Sequence, residues 1–161
     1  MMRILLVEPE YRRLSARLRK ISEGSINNGG NDETLWYPPL SFMKLARFHK
    51  ARGDEVVFVR GCEKSVLQQN DTFNTSKLWD RVYITTLFTF HYDKIIKTIN
   101  FYKQAVGGTL DKIFVGGIAA SLMPDQIYEE TGIYPITGIL NSPQQIGLRG
   151  TTNIDLLPPD Y

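Results

Sequence analysis

An α/β architecture, in three layers with an open doubly wound parallel sheet between two helical faces, is the fold class this sequence predicts. Three observations carry it. Four short apolar runs recur along the chain, at Ile4 to Val7, Glu55 to Val59, Val82 to Leu87 and Ile113 to Val115, and a weaker fifth lies at Ile136 to Leu140. Amphipathic patterns of helical period stand between several of them. The runs are continuous rather than alternating, as strands buried on both faces are. About five strands are expected.

The elements follow in order. Ile4 to Val7 reads as the first buried strand and stops at Glu8. The stretch from Glu8 to Trp36 is long for a strand-to-helix connection and contains Gly24, Asn27, Asn28, Gly29, Gly30 and Asn31, so it reads as a functional loop or an insertion. Its first half has helical spacing, with Tyr11, Leu14, Leu18 and Ile21 on one side and Arg12, Arg13, Arg17, Arg19 and Lys20 on the rest, a solvated basic face. A helix is expected from Pro39 to Arg52, because proline is harmless at a helix start and Gly53 stands where a C-terminal cap belongs. Turns are expected at Gln68 to Asp71 and Asn74 to Ser76. The stripe Tyr92, Ile95, Ile96, Ile99, Tyr102 and Val106 predicts a helix ended by Gly107-Gly108, and Pro124 and Gly132 bracket a shorter one.

The chain has 161 residues, enough for one domain with a core, and a formal net charge of +2. That charge is too mild to point to nucleic acid. The single cysteine, Cys62, excludes an internal disulfide and any Cys-ligated cluster or zinc site built from this chain alone, and it suits a reducing cytoplasm. No apolar run is long enough for a signal peptide or a membrane span. Cys62 is expected to be a small buried residue. His49, in the last turn of its helix, is expected to complement the helix dipole as a cation, and His91 to be an exposed helix-start residue.

Ligands of such sheets bind beyond the carboxyl ends of the strands. Four loops lie there: Glu8 to Tyr11, Thr85 to His91, Gly116 to Ser121 and Gly138 to Ser142. Gly116-Gly117 would let a ligand approach the backbone, and Thr85 and Thr86 offer hydroxyls. A tight turn and ordinary strand threonines are the alternative reading. Leu87, Phe88, Phe90 and Tyr92 form an apolar set at the same edge, either a pocket wall or an interface.

Thr85-Thr86-Leu87 after the third strand and Gly116-Gly117 after the fourth resemble the Ser-x-Leu and Gly-Gly elements of flavodoxin-like cobalamin-binding domains. Ile4 to Arg12, Tyr37-Pro38-Pro39-Leu40 and Asn153 to Tyr161 are similar to the N-terminal cobalamin-binding-like domain of radical S-adenosylmethionine iron-sulfur oxidoreductases. The resemblance implies residues 1–150 as that domain and 151–161 as a linker toward a C-terminal radical barrel of the same protein. The 4Fe-4S cluster and S-adenosylmethionine would belong to that barrel. It implies Thr85, Thr86, Leu87, Gly116 and Gly117 as contacts for cobalamin, in a domain not catalytic alone. Glu8-Pro9-Glu10-Tyr11-Arg12-Arg13 stands where a histidine-ligating domain has Asp-x-His-x-x-Gly, so cobalamin would bind without a protein histidine. Gly138-Ile139-Leu140-Asn141 departs from the acidic pattern common after the fifth strand. A cofactor-free interaction or substrate-presenting scaffold is the alternative. A phosphoacceptor receiver lacks its aspartate and lysine here, a flavodoxin its Ser/Thr-rich phosphate loop, and Gly-x-Gly-x-x-Gly occurs nowhere.

Overall fold

The computed structural model describes residues 1–11, 38–67 and 79–161. Strands β1 (Arg3–Glu8), β2 (Glu55–Arg60), β3 (Arg81–Thr86) and β4 (Ile113–Gly117) form a wholly parallel sheet in the order β2-β1-β3-β4. Parallel neighbours need crossovers. Helix α1 (Leu40–Ala51) lies in the connection from β1 to β2, α2 (Tyr92–Tyr102) in that from β3 to β4, and α3 (Ile118–Leu122) and α4 (Pro124–Thr131) follow β4. The chain runs outward from β1 to β2 and returns past β1 to β3, so strand order reverses between β1 and β3.

Successive strand side chains point to opposite faces, so each strand feeds two cores. Ile4, Leu6 and Tyr83 meet Phe42, Leu45 and Phe48 of α1, with Ile146 and Ile154 beside them. Leu5, Val7, Val82, Ile84, Ile113 and Val115 meet Ile95 and Ile99 of α2 and Ile127 of α4. β1 has a strand on either side and is buried at every position, whereas the edge strand β2 is at most half-buried. Trp79 plugs the end of the α2-side core, its indole N–H donating to the Val66 carbonyl at 2.9 Å and the Arg3 guanidinium lying 4.3 Å above its ring.

The helices keep the boundaries expected of their caps. α1 starts right after Pro39, α4 has Pro124 in its first turn, and Gly107 and Gly132 end the helical segments before them. Among the described residues no helix is long and apolar enough to cross a membrane. The basic segment from Arg12 to Ile21, the rest of the stretch to Trp36 and the turns expected at 68–71 and 74–76 lie outside the described residues.

Three expectations are corrected. The fifth run, Ile136 to Leu140, is not a strand: Ile136 donates one backbone bond to Val115 at 2.8 Å. The chain turns at Gly138, two residues on, and among the described residues no further backbone bond joins 137–140 to β4. Cys62 is exposed, because it lies past the last backbone contact of β2, where Gly61 donates to the Glu8 carbonyl. His49 is not a surface cation at a helix end but fully buried. Its Nδ1 lies 2.9 Å from Asp54 Oδ2 and its Nε2 2.9 Å from the Tyr83 hydroxyl. With Asp54 ionised, Nδ1–H donates to the carboxylate and Nε2 accepts from Tyr83, so the imidazole is neutral and every polar atom is paired.

Within 151–161, Ile154, Asp155 and Asp160 contact α1 or the core beneath it. Ile154 joins the α1-side core, Lys44 holds Asp155, Lys50 pairs with Asp160, and the Asp160 amide donates to the Met43 carbonyl.

Burial holds the His49 pKa below its ordinary 6.5, outweighing the attraction of Asp54, and bonds from His49 and the Met2 amide hold Asp54 below its ordinary 3.8 despite burial. Both folded values are depressed, so the unfolded chain binds the extra protons and acid destabilises the fold. Stability from His49 is complete above about pH 6.5 and declines as pH falls toward its folded value; that from Asp54 declines below about pH 3.8. Urea unfolding followed by circular dichroism should show a loss between neutral pH and pH about 5 that is absent in His49→Gln. His49→Ala should cost about 2–4 kcal/mol at neutral pH, since it opens a cavity and strands the Tyr83 hydroxyl.

Candidate functional site

The four carboxyl-end loops separate into two places. Thr85, Gly116, Gly117 and the 138–140 segment surround a cavity of about 260 Å³ on the α1 side of the sheet. Its floor is Tyr83, Ile84, Phe114 and Val115, and its walls are Phe42 and Leu45 of α1 with Ile136, Ile139, Leu140 and Ile154. Polar groups are few: Ser41, Lys44, Thr85 and Asp155. An apolar lining with a handful of placed polar groups is the composition of small-molecule sites.

The sheet register sets Thr85 beside Gly116 and Thr86 beside Gly117, so the two expected contact patterns are direct neighbours. Their members do different things. The Thr86 hydroxyl donates to the Gly116 carbonyl at 2.9 Å and accepts from the Ala120 amide at 2.9 Å, with the side chain fully buried. Both its hydrogen-bonding roles serve the β4–α3 turn. Gly117 has φ +113, and a Cβ there would stand 2.4 Å from the Thr86 carbonyl oxygen. That glycine is required by the closeness of β3 and β4, whatever lies outside.

Thr85 and Gly116 have no such internal duty. Gly116 is not in the left-handed region, and a Cβ on it would meet only the Ile136 carbonyl oxygen at 3.9 Å. Its missing side chain leaves room in the cavity that packing does not demand. Thr85 is nine-tenths buried against the cavity, and among the described residues its hydroxyl has no hydrogen-bond partner. Leu87 is apart from them. It is partly exposed, and its amide donates to the Tyr11 hydroxyl at 3.0 Å.

Leu87 belongs to the second place, a cleft near the strand-order reversal lined by Glu8, Pro9, Glu10, Tyr11, Arg60, Leu87, Phe88 and His91. Tyr11 stacks on His91 with ring centroids 5.4 Å apart and meets Phe88 edge-on at 5.4 Å; burial pushes its hydroxyl pKa up to about 12. His91 is therefore half-buried in an aromatic stack rather than an exposed helix start. Arg60 Nε lies 3.5 Å from Glu8 and 3.8 Å from Glu10. Phe90, 74 % exposed, stacks on Phe88, while Tyr92 turns inward at the start of α2. Among the described residues no group of three His, Cys, Asp or Glu side chains is placed to hold a metal ion.

Lys44, Asp155 and Tyr83 are cavity residues that sequence reasoning did not single out. Lys44 and Asp155 are 111 positions apart and carry no local pattern. No protein-family model, curated protein or solved structure matches this chain.

Substitutions at the two glycines should separate structure from site. Gly117→Ala should cost about 3 kcal/mol or more through strain and overlap with Thr86, whereas Gly116→Ala should stay within about 1 kcal/mol of the parent in urea unfolding. Thr86→Val should cost about 1–3 kcal/mol, because the buried Ala120 amide loses its acceptor and the half-buried Gly116 carbonyl its donor.

Proposed function

We propose that this chain is an accessory cofactor-binding-like domain of a radical S-adenosylmethionine iron-sulfur oxidoreductase, not catalytic alone, in which the Thr85–Gly116 cavity receives part of a cobalamin. One observation carries the reading. Thr85 and Gly116 lie side by side at the carboxyl ends of adjacent parallel strands, over an apolar cavity, with a hydroxyl and a missing side chain that the described fold itself does not use. The strand order β2-β1-β3-β4 supports it, since flavodoxin-like sheets begin in that order.

The residues present fit one portion of the group. A cavity of about 260 Å³ suits a single heterocyclic ring system, so the macrocycle would have to lie outside it. Thr85 would hydrogen-bond the inserted portion, Gly116 would let it approach the backbone, and Phe42, Leu45 and Phe114 would exclude water around it. Thr86 and Gly117 would act as positioning residues by holding β4 and α3 against β3. Leu87, outside the cavity, would meet only what lies beyond the strand ends. When bound, a corrinoid supplies alkyl-group transfer chemistry. The cluster and S-adenosylmethionine would reside on the barrel of the same protein, which would be this domain's principal partner in the cytoplasm.

The cofactor-free interaction or substrate-presenting domain is favoured by one other observation. Phe88 and Phe90 stack on each other at the carboxyl edge while partly or largely exposed, as contact patches do.

Titration with hydroxocobalamin, followed by visible absorption and calorimetry, should give saturable binding. Gly116→Leu, which fills the cavity, should weaken it by about tenfold or more with the thermal midpoint unchanged. Absence of binding at near-millimolar protein would leave the scaffold reading, and a Cys-x-x-x-Cys-x-x-Cys motif elsewhere in the parent gene product would separate the radical-enzyme context from both.

A further inference from the structure

Residues 153–160 run along α1 and supply part of the cavity wall through Ile154 and Asp155. They also tie the two walls together. Ile154 donates its amide to the Asn141 carbonyl at 3.0 Å, on the side of the 136–141 segment, and Lys44 of α1 reaches Asp155 Oδ1 at 2.9 Å and the Asp155 carbonyl. Of these ties only the Lys44–Asp155 pair holds a charge at the cavity, and the Asp155 side chain can leave it without moving the buried Ile154.

That pair is unequal. The Lys44 side chain is 19 % exposed and the Asp155 side chain 47 %. A half-exposed carboxylate that lets go is rehydrated at little cost, whereas a mostly buried ammonium left without its counter-charge is penalised heavily. The exchange that keeps Lys44 paired is replacement of Asp155 by another anion. The rest of the lining is apolar, so the molecule that brings this anion must carry an apolar body.

We propose that the cavity takes a small, largely apolar monoanion whose acidic group replaces the Asp155 carboxylate on Lys44, while Ile154, the Lys50–Asp160 pair and the Asp160 amide keep the rest of the segment on α1. The apolar body lies against Phe42, Phe114 and Leu140, and Thr85 supplies a second polar contact. An engineered cavity of about 150 Å³ accommodates benzene, so about 260 Å³ accommodates a bicyclic ring system. The proposal rests on the cavity being a ligand site, as in the reading above, and not on that ligand being a corrinoid.

Calorimetric titration with naphthoate and with the neutral isostere naphthamide tests it on the full chain. Naphthoate should bind at least about tenfold more tightly than naphthamide. Asp155→Asn removes the competing carboxylate and should tighten naphthoate severalfold while leaving naphthamide within about twofold. Lys44→Met should bring naphthoate down to the naphthamide level. Equal affinities in the parent chain, binding of neither compound, or naphthoate affinity that survives Lys44→Met would overturn the proposal. Should Lys44→Met lose its circular dichroism signature, Asp155→Asn decides alone, and unchanged or weaker naphthoate binding there sinks the proposal. Hydroxocobalamin failing while naphthoate binds removes the corrinoid reading only; naphthoate failing while hydroxocobalamin binds removes the monoanion only.

Discussion

At the carboxyl ends of β3 and β4, one hydroxyl and one missing Cβ set the spacing on which this edge of the sheet, and the cavity beside it, depends. Thr86 bridges the Gly116 carbonyl and the Ala120 amide, and Gly117 passes so near Thr86 that no other residue would fit. The consequence is geometric. β4 ends flush with β3, α3 starts at once, and Ser121 of that helix reaches back to accept the Gly138 amide at 2.9 Å. The 138–140 wall of the cavity is thereby hung from the same clamp. A buried hydroxyl with both roles filled is stable in a low-dielectric interior, whereas half-filled it would be a liability.

The other wall is anchored by a different polar device. His49, at the C-terminal end of α1, links Asp54 at the start of β2 to Tyr83 in the middle of β3, and Asp54 in turn accepts the Met2 amide at 3.0 Å. One side chain thus ties α1 to three of the four strands through Asp54 and Tyr83. Tyr83 continues the chain of contacts by stacking on Phe114, with centroids 5.1 Å apart, so its ring is part of the cavity floor while its hydroxyl belongs to the anchor. Burial pushes that hydroxyl's pKa up to about 12, which keeps it a donor at any ordinary pH.

Between these two devices the cavity is apolar below and polar at Ser41, Lys44, Thr85 and Asp155. The cleft beside it has the opposite character, with carboxylates, Arg60 and an aromatic stack of Tyr11, His91 and Phe88. β3 separates them: Thr85 opens to the cavity and Leu87, two residues on, to the cleft. The cavity and the cleft are thus neighbours at one sheet edge and chemically distinct.

Local chemistry suffices to write part of this fold into the chain. Continuous apolar runs marked β1 to β4, prolines and glycines marked the helix ends, and the residues Thr85 to Leu87 and Gly116-Gly117 were legible as neighbours because strand-end loops of a parallel sheet share one edge. Only the tertiary structure decided the rest. That Thr86 and Gly117 are held against each other depends on the β3–β4 register, which no local pattern encodes. Ile136 to Leu140 has strand composition but gains only one ladder bond, because pairing is a property of two segments and the chain turns away at Gly138. His49 read as a helix-end cation because its partners Asp54 and Tyr83 come from other elements, and burial, not position on its helix, sets its charge. Lys44 and Asp155 meet across most of the chain's length, and such a contact is written only in the packing of the last residues onto α1.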